Sequence, residues 1–264
     1  MLKGYMDKER LKKLAENPQF IPGVYNYCDR WCERCPFTGR CMTFALSEEH
    51  FGDSETRDIN NKAFWEKLSE IFRLTLEMVK EDAKREGIDL NSIDIQAASD
   101  EEEKTSDIAE SQECCRAAKV YGEMVKNWFG SAEKLLEEKE SELNLQAQLE
   151  LPNCEPAGEA AAIKDSIDVI YWYQHQIYVK LKRAVCGTIR NGIDEDSSDA
   201  NGSAKVALIG IERSIAAWGQ MHKHFPEQQN SILDILLHLD RLRRTVETAF
   251  PDARAFVRPG FDEI

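Results

Sequence analysis

At 264 residues the chain can bury a sizeable core, as one large domain or two small ones. Hydrophobic residues at 42% and charged residues at 31% are the balance of a soluble globular protein. A net charge of −14 repels phosphate backbones and anionic lipid, which argues against nucleic acid and membrane as partners.

No apolar run nears the ~20 residues a membrane-spanning helix needs. The first ten residues also lack an apolar signal segment, so the expected location is the cytoplasm.

In chain order, residues 7–16 pattern as a short charged helix stopped at Asn17 and Pro18. Residues 17–46 read as irregular and aromatic, with Phe20, Tyr25, Tyr27, Trp31, Phe37 and Phe44. They also hold Cys28, Cys32, Cys35 and Cys41, spaced C-x3-C-x2-C-x5-C. A thiolate centre needs about four soft donors that one loop can wrap. In a reducing compartment the eight cysteines read as ligands and buried thiols rather than disulfides. Adjacent Cys114 and Cys115 are expected to be one buried and one partly exposed thiol, because a bond between helix neighbours is strained. Arg30, Arg34 and Arg40 interleave the cysteines, where they either offset a negative tetrathiolate centre or balance Asp29 and Glu33.

Structural zinc commonly uses two separated C-x2-C knuckles, whereas here a single loop supplies every thiol and only one pair has that spacing. A cubane cluster is wider than an ion and tolerates unequal spacings, so a [4Fe–4S] cluster is the leading expectation and zinc the alternative. The segment Cys32, Glu33, Arg34, Cys35, Pro36, Phe37, Thr38, Gly39, Arg40, Cys41 resembles part of a known loop. That part is the C-x2-C-P-x4-C stretch of the iron–sulfur loop in the endonuclease III and adenine-glycosylase family of DNA repair enzymes. The resemblance covers ten residues. The preceding interval is x3 here and x6 in that family, and no helix-hairpin-helix motif accompanies it. It implies a [4Fe–4S] cluster on Cys28, Cys32, Cys35 and Cys41 and does not extend to glycosylase activity. The opening C-x3-C-x2-C is also similar to the radical-SAM triplet, but those enzymes are strand-rich β/α barrels and this chain has almost no strand pattern.

A linker at 52–54 precedes a helix from about Asn60 to Glu86, with Trp65, Leu68, Phe72, Leu76 and Val79 on one face and Gly87 at its end. Residues 88–105 read as an acidic loop, with a minor extended candidate around Ile88–Ile95. A second helix starts near Asp107, where Gly130 either kinks or ends it, and a charged extension covers 131–149. A third helix spans about 159–186, ahead of an acidic loop at 191–202. The fourth runs from Ser203 to about His224, the fifth from Pro226 to about Phe250, and a tail follows.

The expected fold is all-α: an antiparallel bundle of about five helices with an irregular four-cysteine metal-binding loop. Composition divides it into a cap at 1–52, a bundle at 53–250 and a tail at 251–264. Asp168, His175 and Glu212 form a weaker second candidate inside the bundle, although the Glu-x-x-His pair of di-iron bundles is missing. The third-helix aromatics Tyr171, Trp172, Tyr173 and Tyr178 read first as packing.

Three functions follow as expectations. The first is a cluster or zinc protein with a structural or redox role, served by a protein or redox partner. The second is a zinc-stapled interaction module, and the third an enzyme built on Asp168, His175 and Glu212.

Overall fold

Every described run of regular backbone is helical, and no strand occurs among the described residues, so the chain is all-α. The computed structural model describes residues 8–149, 154–191 and 198–262. The chain divides into two compact units: Met1–Asp100 together with Arg258–Ile264, and Glu101–Val257. Composition points to a border at 52/53, whereas the folded chain groups the cysteine loop with everything up to Asp100 and with its last seven residues.

The first unit holds α1 (Lys8–Ala15), α2 (Met42–Phe51), α3 (Ser54–Arg57) and α4 (Lys62–Glu86). Asn61 starts α4 by accepting the N–H of Ala63 at 2.9 Å. Gly87 stops it at φ +74, its own N–H returning to Ala83 and Lys84, which is the stop the sequence signals. Lys8 of α1 bonds Glu81 of α4, and Arg10 bonds Glu49 of α2 at 2.8 Å, so charge joins these helices more than apolar packing does. Among the described residues of this unit only Val24, Leu74 and Ala83 are fully buried apolar side chains. The α4 stripe that the sequence marks is not its buried face: Trp65, Phe72, Leu76 and Val79 are each half exposed or more.

The border at Asp100 falls within α5 (Ile95–Ser111). Its first half overturns the expected acidic loop at 88–105. Asp94 accepts the N–H of Ala97 at 3.0 Å and starts the helix, and the acidic residues 100–103 lie on it rather than in a loop. The extended candidate is instead an irregular link with a single 3-10 turn, Leu90–Ser92.

In the second unit α6 (Glu113–Gln148), α7 (Pro156–Asn191), α8 (Ser198–His224) and α9 (Gln229–Ala249) pack each on the next, and α9 packs back on α6. This closed ring has four helices. The fifth expected member, α4, belongs to the first unit. Gly130 does not end α6, which continues through it to Gln148. Similarly, α7 runs through Gly187 to Asn191. The expected loop at 191–202 lies partly outside the described residues, and α8 begins at Ser198, ahead of Ser203.

The core of this unit is aromatic. Trp128 meets Trp218 edge-on at 5.0 Å, and Phe129 stacks on Tyr171 at 4.5 Å. The Trp218 indole donates to the Tyr121 hydroxyl at 3.2 Å, and burial pushes that phenol up to about 12. No helix among the described residues is long and apolar enough to cross a membrane.

Candidate metal centre

The cysteine loop is built from two single 3-10 turns, Cys32–Arg34 and Thr38–Arg40, followed directly by α2 after Cys41. Arg30 holds a left-handed backbone at φ +59, unusual for a residue with a side chain, and turns the chain between Cys28 and Cys32. Ile21 donates its N–H to the carbonyl of Arg40 at 3.0 Å, tying the loop's entry to its exit. The Arg34 guanidinium lies 4.0 Å over the Trp31 ring.

All four thiols are free and partly exposed. The Phe37 N–H donates to Cys35 Sγ at 3.4 Å, an interaction that supports a thiolate. Burial, followed by the charges of Cys28, Cys35, Cys41 and Glu33, raises the Cys32 pKa. Cys35 is raised for the same first reason, with Cys28, Asp29 and Cys41 adding to it and the Phe37 N–H opposing. The four sulfurs therefore share one electrostatic neighbourhood. As placed, however, no three His, Cys, Asp or Glu side chains among the described residues form a group that could hold a metal ion. The donor chemistry fits a soft metal centre.

The chain's last described residues pack against this loop. Phe261 meets Phe37 edge-on at 4.8 Å. Gly260, at φ +75, is pressed so close to Ile21 that a Cβ would fall 2.9 Å from its Cδ1. Arg258 and Asp262 pair at 2.9 Å, and the Arg258 guanidinium lies 4.8 Å over the Phe261 ring. Composition reads these residues as a tail. The signal that could have suggested otherwise is the turn pair Pro259 and Gly260 next to an aromatic residue. Sequence reasoning also passed over His50. This residue is buried at the end of α2 with neither ring nitrogen hydrogen-bonded, and burial together with Lys67 lowers its pKa.

The second candidate set does not come together. Asp168 pairs with Lys164 at 2.7 Å, and Glu212 pairs with Arg254 at 2.7 Å. His175 is exposed and borders an open cleft of about 670 Å³ with Gly122, Lys126, Glu133 and Tyr171. Each carboxylate is thus engaged by a cation within its own neighbourhood. Cys114 and Cys115 are both buried, against the expectation of one partly exposed thiol. They behave as a pair: a hydrogen bond between them lowers the first thiol's pKa and raises the second's.

Fold and loop together define an all-helical protein with a cysteine-rich loop. Compared with known proteins, the chain matches no family model, no curated protein and no solved structure.

Proposed function

We propose that Cys28, Cys32, Cys35 and Cys41 hold a [4Fe–4S] cluster that staples the first unit and serves a structural or redox role. The observation that carries this reading is where the thiols occur. Four of the eight cysteines fall in one loop of a unit whose described core contains only three fully buried apolar side chains. A folding unit with so little apolar burial needs a staple, and metal–thiolate bonds supply one. The charges of Cys28, Cys35 and Cys41 each act on Cys32, which puts the four sulfurs in one electrostatic neighbourhood. Bound there, the cluster would supply one-electron chemistry. The chain's own contribution is the N–H of Phe37 toward Cys35 and the packing of Phe261 on Phe37, which orient and shield that ligand.

Anaerobic purification with elemental analysis and an absorption spectrum tests the reading. Iron and sulfide with a broad band near ~400 nm, lost on oxidation, are the expected result. Colourless protein with one equivalent of zinc would replace the cluster with a zinc staple, and metal-free folded protein would end both readings.

A further inference from the structure

The sequence marks a stripe on α4 that the first unit leaves uncovered. Trp65 is 52% exposed, Phe72 60%, Leu76 59% and Val79 50%, with Leu68 half-buried between them. The unit's own core takes Leu74, on the opposite side of the helix, and the stripe becomes buried only at Ala83, one turn beyond Val79. Contiguous exposed apolar surface of this kind marks an interaction face.

Its spacing carries the identity of the partner. From Trp65 the intervals are three, four, four and three residues, which is the same read in either direction. Reversing the helix about Phe72 places Trp65 opposite Val79, Leu68 opposite Leu76, and Phe72 opposite itself. Self-complementarity of this kind is what a twofold, isologous interface requires.

We propose that this face of α4 pairs antiparallel with the same face of a second copy of the chain, about a twofold axis at Phe72. Three further observations fit. The Trp65 indole N–H already donates to the Ile59 carbonyl at 2.8 Å, so covering the ring strands no donor. The reversal also brings Lys80 of one copy within two residues of the second copy's Glu66 along the same flank, an attractive pairing that would add to the one Glu66 makes with Lys62 of its own helix at 2.7 Å. Arg73, the charge nearest the axis, is already neutralised by Glu77 at 3.0 Å. Finally, aromatic side chains present roughly 150–250 Å² each, so the exposed portions of these residues with Ile59 come to several hundred Å² per copy. A pair would bury about 1,000 Å², the lower bound of a specific interface.

The test is the mass of the full-length protein in solution across a concentration series, by light scattering or sedimentation. A concentration-dependent dimer is expected. Phe72→Asp places two like charges on the axis and should raise the dimer dissociation constant at least about a hundredfold, with the helical circular dichroism unchanged because Phe72 is already exposed. Lys80→Glu should weaken the dimer and Glu66→Lys in the same chain should restore it. A wild-type monomer at all concentrations overturns the proposal, as does a dimer indifferent to Phe72→Asp. Failure of the charge swap to rescue overturns the antiparallel register.

Discussion

Gly260 shows how much one residue can hold. Its φ of +75 is costly for any side chain, and the Ile21 methyl occupies the space a Cβ would need. Gly260→Ala is expected to destabilise the first unit by about 1–3 kcal/mol, read as an earlier thermal transition, with faster metal loss on chelator challenge. Cys35 makes the complementary case. Burial raises its pKa, and the Phe37 N–H at 3.4 Å opposes that rise, so the site keeps one donor aimed at the sulfur. Cys35→Ser is expected to lose bound metal, measured by elemental analysis, and to lower the stability of the loop, whereas Cys154→Ser, at an exposed site outside the loop, leaves both unchanged. At this scale the grouping of four cysteines in one loop was readable because their spacing is local along the chain. Phe261 and Gly260 were not, because their role exists only where the chain's last residues meet Phe37 and Ile21.

Among the elements, α7 and α8 share the most extensive contact, and a small residue, Gly210, allows it. A Cβ on Gly210 would come within 2.9 Å of the Tyr173 ring, itself fully buried. Gly210→Val should cost about 2–3 kcal/mol through overpacking, measured by denaturant unfolding of the second unit. Charge joins α5 to the ring of helices. Glu110 accepts from Lys119 of α6 and Lys182 of α7, both at 2.6 Å, and these bonds, Lys119 first, draw its pKa from 4.5 to about 2. A carboxyl lowered on folding stabilises above its unfolded pKa, and that contribution fades as pH falls through the folded one. Glu110→Gln should therefore be slightly less stable than the parent above about pH 4.5, the effect being small because the pair is exposed, and that difference should fade between pH 4.5 and 2. Acid titrations of the two proteins followed by circular dichroism check this. The long helices were readable from their apolar periodicity. Helix α5 was not, because its acidic N-terminal half resembles a solvated loop until Thr105 and Ala109 are seen to be buried.

At the scale of the whole molecule the two units are unequal. The second carries nearly all the described buried apolar side chains, including the Trp128, Trp218 and Phe225 cluster, while the first is held by charge pairs, a few buried residues and its cysteine loop. Metal removal under anaerobic chelation should therefore strip hydrogen-exchange protection from α2 and α4 and leave α6–α9 protected; uniform loss across both would contradict a staple confined to the first unit. Taken alone, the sequence determined the all-α class, the ends of α4 and the run of long helices. These rest on periodicity and capping, which act over a few residues. Only the tertiary structure decided that α4 belongs outside the helix ring, that its apolar stripe is left exposed, that Glu212 and Asp168 are taken up by separate cations, and that the last residues close over the cysteine loop. A periodic pattern says that a face exists but not what covers it, and the pairing of a carboxylate is settled by whichever cation the fold brings within reach.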